Sequence, residues 1–276
     1  MIVLGIETAT SQVGCALGGH EGVLASFHAA RGRRHAEILT PAIAFICEQA
    51  AIDLKEVGAI AVDVGPGLFT GLRVGVATAK ALGQALSIGV VPVSSLDVLA
   101  AGALQRLGDE RVGAVVAVVD ARRAEVFAAV YHLDGAVARD VIERGAPLDP
   151  ASVRDDLAHA IAPETLAERV GALARKGRIV VVGDGALRYR DLFVAHPDVD
   201  LELAGELAIP PPAVLAGLAA DRLANGARPE APEVVRPDYR RDADARINWE
   251  ERSPRPRLVG QDGQEGLEGA AGRRPA

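Results

Sequence analysis

The chain has 276 residues, 49% of them hydrophobic, and a formal net charge of -7; it can bury a sizeable core but carries no overall basic field with which to hold nucleic acid unaided. Aromatics make up only 3%, so the core must be built from small aliphatics that let backbones approach closely. The opening MIVLGIETAT lacks the basic and long apolar regions of a secretory signal, and no apolar run reaches the ~18 residues of a membrane span, so the expectation is a cytoplasmic protein with no membrane role.

Residues 2–6 read as a buried strand, 12–17 as its neighbour, and Gly18-Gly19-His20-Glu21-Gly22 as the turn into a third strand at 23–29. A basic loop, Arg31-Gly32-Arg33-Arg34-His35, leads into a helix on which Ile38, Leu39, Ala42, Ile43 and Ile46 recur at helical spacing up to about residue 50. Pro41 fits only in a first turn or at a kink, so this helix starts at His35 or at Thr40. A strand at 59–64 then runs into Gly65-Pro66-Gly67, a tight loop, and a proline-free helix follows to residue 86 with Thr70 as its expected N-cap.

That second helix is unusual. At about 100° per residue, Gly71, Gly75, Ala79 and Gly83 fall on one strip, with Arg73, Lys80 and Gln84 on a narrow polar stripe. A glycine inside a helix costs about 1 kcal/mol relative to alanine, so three on one strip imply that another backbone comes very close. That backbone is either the protein's own sheet or a sister helix, or it belongs to a partner for which the strip is a docking surface. The loop is not a Walker A phosphate loop, because no Lys-Ser or Lys-Thr pair stands at the G-x-x-x-x-G-K-S/T spacing.

A strand at 88–93 enters Ser94-Ser95-Leu96-Asp97 and a helix at about 96–107. The second half then begins again: a strand at 113–119, its partner at 125–132, the hairpin signal Asp134-Gly135, and a return at 137–143. An offset of 113 residues superposes Glu7 on Asp120, Val13 on Val126 and Gly22 on Gly135, which points to duplication of one α/β lobe. A helix near 163–176, a strand at 178–182 ending in Gly183-Asp184-Gly185 and a helix at 212–225 complete it. The expected division is an N-terminal lobe at 1–104, a C-terminal lobe at 105–225, an extension at 226–250 and a tail at 251–276. The tail is rich in Gly, Pro, Glu and Arg and is expected to be disordered. Two such lobes are the outline of the actin, Hsp70 and sugar-kinase architecture, a duplicated α/β fold of RNase H-like lobes.

The chemistry expected of that fold is weakly supported. A phosphate-gripping hairpin needs an acid followed by glycine and hydroxyl residues, whereas the two turns read Glu7-Thr8-Ala9-Thr10 and Asp120-Ala121-Arg122-Arg123. Glu7 and Asp120 either hydrogen-bond their own turns or, in an alternative reading as a small-molecule kinase or ATPase, hold Mg²⁺. The six histidines form no H-x-x-x-H or H-E-x-x-H pair. Cys15 and Cys47 lack metal or redox spacing and read as buried small hydrophobes. A Ser-His-Asp set can be drawn from Ser94 or Ser95, His35 and Asp97, but triads form in space and such combinations arise by chance.

GPGLFTGLRVGVATAKALGQAL, preceded by AIAVDV and followed by VVPVSSLDVLA, resembles the TsaB (YeaZ) family of tRNA threonylcarbamoyladenosine (t6A) biosynthesis. LGIETAT, RHAEILTPAI, VVDARRAEVFAAVY, VVGDGA and RPDYRR agree in order, and the resemblance covers residues 1–245. It implies an actin-like fold with a degenerate nucleotide cleft, no cofactor, no catalytic residue and no metal. It also implies a non-catalytic partner of TsaD, joined by a TsaE-like ATPase, meeting tRNA through the complex and able to form a homodimer alone. TsaD-like proteins carry an H-x-x-x-H metal motif at positions matching Ser95 and Leu99, so both ligands are missing here. The interface implied lies on the helices at 35–50 and 71–86, with His35, Leu39, Ile43, Gly71, Leu72, Gly75, Val76, Ala79 and Gly83 as its expected residues. Arg31, Arg33, Arg34, Arg122, Arg123, Arg240 and Arg241 are surface arginines or tRNA contacts.

Overall fold

The computed structural model describes residues 1–19, 21–30, 34–108, 110–133, 148–157 and 159–240. Three expectations lie outside these residues: the Asp134-Gly135 hairpin with its return at 137–143, Arg31, Arg33 and Arg241 of the basic set, and the tail.

The first sheet contains β1 (Ile2–Glu7), β2 (Val13–Gly19), β3 (Gly22–Ala29), β4 (Val57–Gly65) and β5 (Val90–Ser94), in the order β3-β2-β1-β4-β5. β1, β2 and β3 pair antiparallel, while β4 and β5 add in parallel to β1. Side chains alternate across it, as the period of 2 demands. Leu4, Ile6, Val13, Cys15, Leu17, Ile60 and Val62 meet α1 (His35–Ala50) and α2 (Phe69–Leu86) on one face. Val3, Ala16, Ala59 and Ala61 face the other way.

The second sheet contains β6 (Ala114–Arg122), β7 (Glu125–His132), β8 (Arg154–Asp156), β9 (Ile179–Val182) and β10 (Val199–Asp200), in the order β10-β9-β6-β7-β8. Read from its other edge it repeats the first sheet: three antiparallel strands, then two parallel ones. The duplicated, actin-like two-lobed α/β fold expected from the 113-residue offset is therefore present. Its third antiparallel strand among the described residues is β8.

The helices do not respect a cut at residue 104. α3 (Ser95–Leu107) sends Leu96, Leu99, Ala100 and Ala103 against Val115, Ala117, Phe127 and Tyr131 of the second sheet. After α4 (Pro163–Ala174) and the short α5 (Asp184–Arg188) and α6 (Arg190–Phe193), the last helix, α7 (Pro212–Ala224), returns to cover Val3, Ala16, Ala59 and Ala61 of the first. α3 thus packs on both sheets, with Val98 and Ala101 against the first and Leu96 and Leu99 against the second, and α7 covers the first sheet from the far end of the chain, across the expected boundary between 1–104 and 105–225. Residues 229–240 are likewise no loose extension, since Glu230 bridges Val90 of β5 and Val235 is 1% exposed in the core beneath α1 and α2.

α1 begins at His35, one of the two expected starts, but keeps Pro41 inside it rather than in its first turn, on the exposed face where water can take the backbone bond that proline forgoes. α2 begins at Phe69 with Leu68 at the N-cap position and no side-chain cap, so Thr70 is not the cap. The Leu68 amide instead donates to the Ala9 carbonyl at 2.6 Å, which draws the helix start onto the β1–β2 turn.

Candidate functional site

The turn between the first two strands is the one read above as a candidate phosphate-gripping hairpin. Here the turn after Glu7 is filled by the chain itself. Thr8 Oγ1 donates to the Gly71 carbonyl at 2.9 Å. The Nε2 of buried His35 lies 3.0 Å from the Thr10 carbonyl, so it carries the proton and donates. A β-carbon on Gly71 would overlap the Thr8 carbonyl oxygen, and one on Gly75 would overlap Thr8 Oγ1. The glycine strip therefore meets its own chain: Gly71 the Thr8 backbone, Gly75 the Thr8 side chain, and Gly83 Pro232 and the Ile88 carbonyl.

Glu7 is 1% exposed and its Oε1 accepts from the Ala9 amide at 2.8 Å. Burial, and then the nearby Asp63, push its pKa well above the ordinary glutamate range. Asp63, at the end of β4, is fully buried. Its Oδ1 accepts from Ser95 Oγ at 2.6 Å and from the Gly65 amide at 2.8 Å, while its Oδ2 has no partner. Burial is the main reason its pKa rises to about 7. Both carboxyls thus spend their acceptor oxygens on groups of their own chain, and burial disfavours their charged forms.

The second lobe disarms its acid differently. Asp120 Oδ2 pairs with Arg122 Nη1 at 2.9 Å and Arg188 Nη1 at 3.2 Å, and its Oδ1 accepts from the Arg122 amide at 3.0 Å. The Asp120 amide is taken by Asp184 Oδ1 at 2.8 Å. Arg122, Arg123 and Ala124 form the turn with φ of 63°, 55° and 57°, left-handed positions that glycine fills at least cost. Side chains stand where a phosphate turn would need bare backbone. Glu7 and Asp120 are both engaged within the chain, and among the described residues no group of three His, Cys, Asp or Glu side chains is placed to hold a metal.

The Ser-His-Asp set does not assemble: Ser95 serves Asp63, His35 serves Thr10, and Asp97 is held by Tyr131 Oη at 2.9 Å, Arg154 at 3.1 Å and Arg222 at 3.1 Å. Leu99, the other position matching the TsaD metal motif, is fully buried in the core. Asp97 belongs to a chain of alternating charges that runs Asp149, Arg222, Asp97, Arg154, Asp156, Arg240, Asp238. No spacing in sequence announced it; the available signal was a charge set alone in an apolar run, as Asp97 is between Leu96 and Val98.

All nine residues expected at the interface are buried within the chain: His35, Leu39 and Ile43 on α1, and Gly71, Leu72, Gly75, Val76, Ala79 and Gly83 on α2. The outward docking strip is thereby corrected, because these positions face the β1–β2 turn and the first sheet. Exposed on α2 are Thr70, Arg73, Ala77, Ala81, Gln84 and Ala85, flanked by partly exposed Val74 and Thr78; α1 exposes Pro41, Ala44 and Phe45 alongside polar Glu37, Thr40, Glu48 and Gln49. Of the expected basic set, Arg34 is exposed and pairs with Glu37, while Arg240 is 6% exposed and fully engaged in ion pairs.

The family model described as TsaD, tRNA N6-adenosine threonylcarbamoyltransferase, matches residues 23–249. The tRNA threonylcarbamoyladenosine biosynthesis protein TsaB of Escherichia coli is 30% identical over 247 residues, covering 88% of this chain and 95% of that protein. A Mycobacterium leprae protein, ML0378, is 37% identical over 155 residues, 55% of this chain; the match spans only 41% of its length. Among solved structures, a Pseudomonas aeruginosa protein described as similar to peptidase YeaZ matches with a TM-score of 0.65 and 25% identity, covering 87% of this chain and 99% of that one.

Proposed function

Because this chain belongs to the TsaB (YeaZ) family, we propose that it is the non-catalytic scaffold subunit of a tRNA N6-adenosine threonylcarbamoyltransferase complex, supporting transfer of the threonylcarbamoyl group by a TsaD-like partner. The observation that carries this reading is the filled turn: loop 65–67 and the start of α2 occupy the backbone that a nucleotide phosphate would need. Buried Ser95 and Leu99 at the two metal-motif positions support it independently. A fold that keeps two intact lobes while both cleft acids are consumed internally is suited to holding a partner.

The docking surface in this reading is the outer face of α1 and α2. Val74, Ala77, Thr78, Ala81 and Ala85 recur at helical spacing and are short enough for a partner helix to approach closely, with Phe45 on α1 as a larger anchor 51% exposed. The same face accounts for a homodimer in isolation, in competition with the heterodimer. The net charge of -7 fits a subunit that meets tRNA only through the complex. A TsaE-like ATPase and a cytoplasmic setting belong to the same proposal; no helix of the described residues is long and apolar enough to cross a membrane. The test is co-purification with the TsaD-like protein of the same cell, followed by threonylcarbamoyl transfer to tRNA with and without this chain. Full transfer by the partner alone would overturn the reading.

A further inference from the structure

Residues 229–240 run from one lobe to the other, from the β5 edge of the first sheet past α2. Glu230 exchanges backbone hydrogen bonds with Val90 at 2.8 and 2.9 Å, covering the β5 edge. Pro232 lies so close to α2 that a β-carbon on Gly83 would stand 2.8 Å from it. Lys80 Nζ donates to the Glu233 and Val235 carbonyls at 3.1 and 3.4 Å, and Val235 is buried in the core. Further on, the Asp238 amide donates to the Val64 carbonyl at 2.7 Å, and Tyr239 stacks on Phe69 with ring centroids 4.9 Å apart while its hydroxyl accepts from Arg73 Nε at 3.0 Å. All of these anchors are in the first lobe.

Arg240 then crosses to the second. Its guanidinium holds Asp156 of β8 through both carboxylate oxygens, at 2.6 and 2.8 Å, and donates to the Leu157 carbonyl at 3.2 Å. Its Nε is held by Asp238 at 2.8 Å. Asp156 is shared with Arg154, which reaches Asp97 at the start of α3. We propose that residues 229–240 form a strap that couples the two lobes, with Arg240 as its latch on the second. The strap holds α2 at its start through Phe69 and Arg73 and further along through Lys80 and Gly83, and joins the lobes by a planar, two-pronged ion pair that suits arginine.

Amide hydrogen exchange on the full chain tests this, comparing Arg240→Ala and Arg240→Lys with the unaltered protein. A working latch predicts that Arg240→Ala speeds exchange about tenfold at residues 154–157 and also at 229–238, because one two-pronged charged pair, buried on the Arg240 side, serves both ends. Arg240→Lys, which keeps the charge but loses the fork, should fall between. Faster exchange confined to 236–240, with 154–157 unchanged, would overturn the proposal. If Arg240→Ala does not fold, Asp156→Asn takes its place, and the faster exchange is then read at 229–238 in the opposite lobe.

Discussion

The Thr8 hydroxyl donates to the Gly71 carbonyl at 2.9 Å, and the two backbones are so close that residue 71 has no room for a β-carbon. One turn further along α2, Gly75 meets the same Thr8 side chain. Gly75→Ala should therefore destabilise the fold by about 1–3 kcal/mol despite alanine's better helix propensity, and Gly75→Leu should prevent folding. Each kcal/mol lowers the melting temperature of a chain this size by about 2–4 °C, which a thermal melt resolves. An unchanged or raised melting temperature for Gly75→Ala would show that the strip faces outward.

The outer face of α2 gives the converse result. Ala77→Arg or Ala81→Arg places a long side chain on an exposed position, so the melt should stay within a few degrees. Association with the TsaD-like protein, followed by gel filtration, should be lost together with tRNA modification. A variant that still binds would place the interface elsewhere.

Stability should fall as pH rises from about 4 towards 7 because of Asp63. An unfolded aspartate titrates near 3.9, whereas burial raises Asp63 to about 7. Between those values the folded state holds a proton that the unfolded chain has lost, so unfolding is favoured as pH increases. Asp63→Asn keeps an oxygen to accept from Ser95 and Gly65, and should be more stable than the parent at pH 8 by an amount that shrinks at pH 5. Melts across this range check it, and equal gain at both values would remove Asp63 as the cause.

The purified chain should turn over no ATP, phosphorylate no small molecule and cleave no peptide. Glu7 accepts from its own turn and Asp120 is paired with two arginines, so neither is available to a metal–nucleotide complex. ATP turnover that disappears in Asp120→Asn would restore the kinase or ATPase reading.

The sequence by itself determined the element order of the first half, the duplicated fold and the family, because strand alternation, helical periodicity and turn residues are local properties that a linear reading captures; the short β8, β10, α5 and α6 escaped it. The nearly equal reach of the two first hairpins, from Glu7 and Asp120, made the repeat visible. It also determined that something must press against Gly71, Gly75, Ala79 and Gly83, since helix glycines at that spacing need a steric reason. Only the tertiary structure decided what that something is. Propensity is blind to direction, and the strip looks the same whether it faces Thr8 or a partner; the answer depends on how the β1–β2 turn curls under the start of α2. The exchange of α3 and α7 between lobes, and the ion chain from Asp149 to Asp238, were equally invisible. They join residues far apart in the chain, and a charge buried by a distant partner looks in sequence like any other charge on a surface.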